Sequence, residues 1–302
     1  MINFIKTQLD SRSRFVVREF SGQLPRNAPK FLIIGGQKCG TTALHHYLSM
    51  HPQIISANTK ELHFFNAELQ YKIGFEYYHS QFPEVEDDVI TFESSPSYLL
   101  SYAAINRIHA YNPKIKIVVL LRNPIDRAFS AWNMYKMRYK ENKNWFFDTW
   151  LKDKNERNGI RKRKEASLFD FYKYIKEEID HSLKDDSSVL EAQVIPQGFY
   201  HLHLLRIFGL FNRAQCMIIE NSVLAGETLK VLGNAENFLG IRPFKWVDSC
   251  LAPVFKGHYA GKIDDRSASL LYDVYSSDSM DLLRLLGQSA SPEFDWFGRT
   301  VK

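Results

Sequence analysis

The chain has 302 residues and a formal net charge of +5, and 45% of its residues are hydrophobic and 14% aromatic. This composition supports a substantial core. The small positive charge suits anionic ligands and is too weak to indicate a nucleic-acid-binding protein. No run of 18 apolar residues occurs and the N-terminus has no apolar signal core, so we expect a cytoplasmic protein without a membrane span.

Short apolar runs rich in Ile, Val and Leu alternate with helical patterns along the chain. In chain order, the sequence predicts a strand over 30–36, a helix over 41–50, a strand over 88–98, a helix over 103–110, a strand over 114–124, helices over 127–137 and 198–208, a strand over 215–221 and a helix over 224–239. Strands separated by such helices indicate an α/β fold with a parallel sheet in a single domain. Ligands then bind at the carboxyl ends of the strands.

The first strand runs into the loop "GGQKCGTT", which has the layout of a phosphate-binding loop. Gly36 and Gly40 give a flexible backbone, and a helix beginning near Thr41 offers free amides to an anion. Lys38 precedes Gly40, so the nucleotide-hydrolase pattern G-x-x-x-x-G-K-[ST] is not met. A helix cap with a surface lysine is the alternative interpretation.

A second candidate motif, "VVLLRNPIDRAFSAW", ends the strand over 114–124. Arg122 at the strand end and Ser130 in the following helix offer a charged fork and a hydroxyl for a second phosphate. The alternative is an arginine paired with an acidic residue such as Asp126. The two motifs together indicate a ligand with phosphates at two ends.

These motifs resemble the sulfotransferase family, which uses 3′-phosphoadenosine 5′-phosphosulfate (PAPS). "KELHFFN", "FESSPSYL", "GFYHLHLLRIFGLFNRAQCMIIENSVL" and the stretch from "KGHYAGKIDD" to "FDWF" are similar to its heparan-sulfate or carbohydrate type, in the same order over about 30–297. The resemblance implies a P-loop-like sulfotransferase domain over 30–302, preceded by an N-terminal extension over 1–29. It also implies a PAPS-dependent enzyme with a glycan or small-alcohol acceptor and no metal.

The resemblance also implies the site residues. Catalytic roles fall on Lys38 at the leaving phosphate, on Glu61 as general base and on His63 as its support. The donor-binding positions are Gly36, Lys38, Cys39, Gly40, Thr41, Thr42, Arg122, Ser130, Tyr259 and Lys262. The segment "KGHYAGKID" lacks the disulfide-linked hairpin that the animal enzymes carry there, which sets this chain apart at Tyr259 and Lys262.

General-base catalysis by a carboxylate is favoured where an apolar pocket raises its pKa, and we expect Leu62, Phe64 and Phe65 to form such a pocket around Glu61. Residue type alone favours a surface helix-cap carboxylate paired with Lys60 for Glu61 and a packed core residue for His63, whereas the position of Glu61 in the motif favours the catalytic role. Other acceptors remain open, among them a lipid or a natural-product alcohol. A P-loop kinase or NTPase, or a non-catalytic nucleotide-binding protein, belongs to a different class.

Two further features bear on partners and compartment. The three cysteines, Cys39, Cys216 and Cys250, are an odd number without metal-ligand spacing, which favours a reducing compartment. The stretch 136–164 holds eleven Lys or Arg against four Asp or Glu. It is either a solvated face or an electropositive rim that guides an anionic acceptor. The sequence leaves the oligomeric state open.

Overall fold

A single parallel sheet organises the molecule. The computed structural model describes residues 15–143, 165–182, 193–247, 261–287 and 294–297. In them, five strands lie in the order β2-β3-β1-β4-β5, and every paired strand is parallel. The strands are β1 (Phe31–Gly35), β2 (Ile54–Ser56), β3 (Ile90–Ser94), β4 (Lys116–Leu121) and β5 (Cys216–Glu220). The α/β fold with a parallel sheet is therefore confirmed.

Helices connect the strands and cover both faces of the sheet. They are α1 (Thr41–Leu48), α2 (Glu68–Ile73), α3 (Phe75–His79), α4 (Tyr102–Tyr111), α5 (Pro124–Glu141), α6 (Phe171–Ser182), α7 (Tyr200–Leu210), α8 (Asn221–Gly226), α9 (Thr228–Leu239) and α10 (Asp265–Leu286). None of the helices in the described ranges combines the length and the apolar composition that a membrane span requires.

The central strand β1 shows why the sheet is buried on both sides. Its side chains alternate, so Leu32 and Ile34 pack into a core with α4 and α7. Phe31 and Ile33 pack into the opposite core, with α1 and α9. A further core joins α5, α6 and α10. Because β1 is buried on both faces, it reads as a continuous apolar run in the sequence.

The structure contains elements that were not predicted, and one predicted helix is divided. Strand β2 and the short helices α2 and α3 were not predicted, since segments of three to six residues carry too little periodicity. The longer helices α6 and α10 were not predicted either. The helix predicted over 224–239 is two helices, α8 and α9, separated at Glu227 (φ −128°, ψ 43°). The side chain of Glu220 starts α8 directly at the end of β5 by accepting from the Ser222 and Val223 amides. At the C-terminal end of α8, the Leu224 carbonyl accepts a hydrogen bond from the Thr228 hydroxyl.

Residues 15–29 lie against the helices beside the sheet. The Phe20 amide donates to the Ala110 carbonyl, and the Phe20 ring packs against Phe75 and Tyr111. These contacts tie the described part of the predicted extension to α3 and α4. The boundary between extension and domain at residue 29 stays a prediction.

Candidate active site

The loop between β1 and α1 is shaped by close backbone packing. A Cβ on Gly35 would lie 2.5 Å from the Cβ of Leu99, and Gly40, at φ +95°, lies directly against the Asn221 side chain. The Gly36 amide donates to the Leu120 carbonyl of β4 at 2.6 Å. The glycines are thus required by the approach of neighbouring segments and by backbone conformation.

Lys38 lies at the centre of this loop and contacts the second motif. The Arg122 Nη1 is 3.5 Å from the Lys38 carbonyl oxygen, with the guanidinium as donor. Arg122 directly follows β4, the neighbour of β1 in the sheet. The structure therefore brings the two phosphate-binding candidates together at the carboxyl edge of adjacent parallel strands, as the sequence predicts.

The side chains on either side of Lys38 fix the loop. The Cys39 thiol is buried, lies 3.7 Å from the Tyr200 hydroxyl, and has its pKa raised to about 11 by burial. Its contribution to an anion site would therefore come from the backbone. The Tyr135 hydroxyl donates to Gln37 Oε1 at 3.1 Å, and Asn221 Nδ2 donates to the Cys39 carbonyl at 3.0 Å.

The N-terminus of α1 supplies the positive end of the site. The first amides of a helix have no partner within the helix, and the helix dipole favours an anion there. α1 carries no acidic residue in its first turn. Thr41 is buried and Thr42 is exposed, so of the two hydroxyls that of Thr42 is open to solvent.

Glu61 and His63 lie in a turn that is bonded to the end of β3. The Glu61 amide donates to the Ser94 carbonyl at 3.1 Å, and the His63 amide donates to Ser95 Oγ at 3.3 Å. The His63 Nδ1 lies 3.0 Å from Ser97 Oγ. Since β3 is next to β1, these bonds bring Glu61 and His63 to the same edge of the sheet as the loop around Lys38.

The charged side chains of the turn that contains Lys60, Glu61 and His63 (the Glu61 turn) lie close enough to helix α1 to affect the pKa of a histidine in it. The pKa of His45 in α1 is lowered to about 4, chiefly by burial and next by the positive charge of Lys60, while the Glu61 carboxylate acts in the opposite direction. The neutral His45 ring packs on Phe92 of β3. The turn therefore lies beside the helix that begins at the phosphate-binding loop.

The surroundings of Glu61 differ from the expected apolar pocket. The Glu61 side chain is 41% exposed, with Lys60 Nζ 2.5 Å from Oε1 and His63 Nε2 3.8 Å from Oε2. Phe64 and Phe65 point into the core instead. Backbone bonding to β3 turns the carboxylate outward and the rings inward, so basic groups and not apolar ones flank it.

The three candidate catalytic residues share an uncommon backbone conformation. Among the described residues, the non-glycine positions with positive φ are Lys38 (65°), Glu61 (63°) and His63 (54°). This left-handed region costs roughly 1–3 kcal/mol per residue and persists where surrounding structure enforces it, which is common at functional sites.

The other candidate donor-binding residues have mixed placements. Ser130 lies in α5 and is 1% exposed, whereas Lys262 is exposed and precedes α10. Tyr259 and residues 144–164 of the basic stretch lie outside the described residues. Sequence reasoning missed Asn221, although a polar residue at the carboxyl end of β5 is a signal that could have found it.

Comparison with known proteins identifies the family. The family model described as the sulfotransferase domain matches residues 28–262. The chain belongs to the sulfotransferase family. This match confirms the resemblance based on "GGQKCGTT" and "VVLLRNPIDRAFS" and makes the chain a member of an enzyme family. In the described residues, no group of three or more His, Cys, Asp or Glu could hold a metal ion.

Relatives of this sulfotransferase include heparan sulfate enzymes. The Mus musculus bifunctional heparan sulfate N-deacetylase/N-sulfotransferase 4 is 28% identical over 302 residues, which cover 91% of this chain and 32% of that protein. The Mus musculus heparan sulfate glucosamine 3-O-sulfotransferase 5 is 30% identical over 220 residues, which cover 73% of this chain and 56% of that protein. The chain therefore spans only about a third to just over half the length of these relatives.

A solved structure agrees on the fold. The crystal structure of a sulfotransferase from Alicyclobacillus acidocaldarius aligns with a TM-score of 0.61 and 24% identity, covering 86% of this chain and 96% of that one. This likeness confirms the predicted sulfotransferase fold.

Proposed function

We propose that this protein transfers a sulfuryl group from PAPS to a hydroxyl or amine of a carbohydrate acceptor. The observation that carries the proposal is the gathering of Lys38, Glu61 and His63, all with positive φ, at one edge of the sheet of a sulfotransferase fold. The heparan sulfate relatives support a carbohydrate acceptor.

The residues around the loop suit a donor with anionic groups at two ends. The α1 N-terminus, Lys38 and the Thr42 hydroxyl offer donors and positive charge to a phosphosulfate. Arg122, in contact with the Lys38 backbone, offers a fork of N–H groups to a second phosphate. PAPS carries a phosphosulfate and a separate 3′-phosphate, so it matches this charge pattern.

In the proposed reaction, an acceptor oxygen or nitrogen attacks the sulfur in line with the bond to the leaving phosphate. The new S–O or S–N bond forms as the bond from sulfur to the phosphate oxygen breaks, much as in phosphoryl transfer. Lys38 and the loop amides stabilise the negative charge that the leaving phosphate gains. Glu61 accepts the proton that the acceptor loses.

The contacts of Glu61 support its role as base. Its 41% exposed side chain is accessible to an acceptor, while Lys60 and His63 restrain the two carboxylate oxygens. Acceptor binding that displaces water from this turn would raise the basicity of the carboxylate. His63, itself held at Ser97, would support the orientation of Glu61.

Transfer of labelled sulfate from PAPS to a panel of glycans, lipids and small alcohols tests the proposal. We expect labelled glycans, and ATP hydrolysis no faster than without protein. Glu61→Gln should abolish transfer while the variant still binds adenosine 3′,5′-bisphosphate in calorimetry. Glu76→Gln, an exposed carboxylate in α3, is the matched control and should transfer normally. Near-normal turnover by Glu61→Gln would rule out the assigned base.

A further inference from the structure

A buried carboxylate lies at the end of β3 beneath the Glu61 turn. Glu93 is 1% exposed, and burial raises the pKa of its carboxyl group. Its oxygens accept three short hydrogen bonds. Ser95 Oγ and Tyr98 OH each donate to Oε1 at 2.6 Å, and Tyr78 OH donates to Oε2 at 2.7 Å. Both carboxylate oxygens are thus satisfied by hydroxyl groups, as a buried charge requires.

Two of these hydroxyls also hold the backbone of the turn. Ser95 Oγ accepts from the His63 amide and Tyr98 OH accepts from the Phe65 amide, each at 3.3 Å. A hydroxyl has a single hydrogen, and a carboxylate can only accept. Because Glu93 takes the hydrogen of both hydroxyls, their lone pairs are left for the two amides.

The geometry points to Glu93 as a positioning residue for the reaction at Glu61 and His63. Its carboxylate orients the Ser95 and Tyr98 hydroxyls, and these hold the segment that follows Glu61, in which His63 has a left-handed backbone conformation. Positive φ persists only where the surroundings impose it, and this network supplies two of the bonds that do so. The inference rests on the proposed function, in which Glu61 is the base.

The three hydroxyl donors provide an internal control. Tyr78 donates to Glu93 as Tyr98 does, and both tyrosines are fully buried. The Tyr78 ring packs on Phe64 and Phe65, but its hydroxyl bonds the carboxylate and not the turn backbone. Tyr78→Phe and Tyr98→Phe therefore remove the same atom and the same kind of bond to Glu93. Only Tyr98→Phe also removes the acceptor of a turn amide.

The experiment compares Tyr98→Phe, Ser95→Ala and Tyr78→Phe in the full chain. Since one aligned hydrogen bond is lost at the turn, we expect Tyr98→Phe and Ser95→Ala to lower kcat about tenfold. Their affinity for adenosine 3′,5′-bisphosphate should be unchanged, because the donor loop is not touched. Tyr78→Phe should lower Tm less than Tyr98→Phe, which also leaves the buried Phe65 amide without an acceptor, and should keep kcat within about twofold of the parent. Glu93→Gln, which retains the size of the side chain, should lower kcat more than Tyr78→Phe.

Amide hydrogen exchange provides a readout that needs no acceptor. The His63 amide in Ser95→Ala and the Phe65 amide in Tyr98→Phe should exchange at least about tenfold faster, whereas both amides should keep their protection in Tyr78→Phe. If Tyr98→Phe loses protection at the Phe65 amide but keeps a kcat equal to that of Tyr78→Phe, the network is merely structural, and this result would overturn the inference. If Glu61→Gln stays active while these amides lose protection, the assigned base fails and the positioning of the turn stands.

Discussion

The side-chain amide of Asn221 donates a 3.0 Å hydrogen bond to the backbone carbonyl of Cys39, 182 residues earlier in the chain. This bond joins the end of β5 to the residue after Lys38, so it fixes the loop proposed to bind the phosphosulfate. Asn221→Ala should weaken the binding of adenosine 3′,5′-bisphosphate about tenfold in calorimetry, because the free loop must then be ordered by the ligand.

Asn221→Asp makes this test sharper. Aspartate is nearly isosteric, but its carboxylate would face the Cys39 carbonyl and repel a bound phosphate, so affinity should fall further than in the alanine variant. Asn106→Ala removes an exposed side chain that bonds within α4 and should leave affinity unchanged. Parent-like affinity in Asn221→Asp would show that this side chain does not control the loop.

The left-handed backbone at Lys38 leads to a prediction about stability. With φ at 65°, a side chain at this position is strained, and glycine is not. Lys38→Gly should therefore be more stable than Lys38→Ala by about 1 kcal/mol in urea unfolding, while both variants lose sulfuryl transfer and donor affinity.

Helix α1 provides the opposite case as a control. At the exposed His46, inside the helix, glycine should be less stable than alanine by about 1 kcal/mol. The glycine variant is thus expected to be more stable than the alanine variant at Lys38 and less stable at His46. If Lys38→Gly were the less stable of the two Lys38 variants, the strain at this loop would be absent in solution.

The sequence predicts the sheet and one half of the site for a physical reason. The β1 and β4 strands are buried on both faces and read as apolar runs, and each ends in its own motif within a few residues. Local patterns alone therefore place Lys38 and Arg122 at the same carboxyl edge of the sheet, where the structure shows them in contact.

The surroundings of Glu61 could not be predicted in this way. The conformation of the turn depends on bonds to Ser94 and Ser95, more than 30 residues later in the chain. Short-range patterns carry no information on such bonds, so Glu61 was expected among phenylalanines. It is found beside Lys60, as in the alternative interpretation based on residue type. For Asn221, the position at the carboxyl end of β5 was a usable signal, but its bond to Cys39, distant in sequence, was not predictable.

The basic face of α5 allows a test for an anionic acceptor. Lys136 and Lys140 are one turn apart, and their Nζ atoms lie 3.8 Å from the Trp132 ring and 5.7 Å from the Phe169 ring. If these charges guide a glycan, changing both lysines to Gln should raise the KM for a sulfated or carboxylated acceptor several-fold at low salt and reduce its dependence on salt. The value of kcat should not change.

Lys114→Gln is the matched control for this pair. Lys114 is exposed just before β4, at the opposite edge of the sheet from the site, so its loss should leave KM unchanged. An unchanged KM at low salt in the double variant would instead identify this part of the basic stretch as a solvated helix face.

The carboxylate of Asp278 in α10 gives a pH dependence of stability. Asp278 Oδ2 accepts from the His201 amide at the start of α7, at 3.1 Å. Burial raises the pKa of this carboxyl group from 3.8 to about 7. Between these values the folded protein holds a proton that the unfolded chain releases, so stability is lost as pH rises from about 4 to about 7. Nearby His203, with its pKa lowered to about 3 by burial, acts in the opposite direction as pH falls below about 6.5.

Asp278→Asn isolates the contribution of the carboxylate, because the effect of His203 is common to both proteins. The amide oxygen can still accept from the His201 amide, but it cannot become charged. We expect the stability of Asp278→Asn relative to the parent to rise by roughly 2–4 kcal/mol between pH 4 and pH 8, measured by urea unfolding across that range. Asp273→Asn, on the exposed face of the same helix, should follow the pH profile of the parent. If the free energies of unfolding of Asp278→Asn and the parent changed with pH in parallel, the carboxyl group would already be ionised at pH 4. Its hydrogen bonds at the start of α7 would then lower its pKa more than burial raises it.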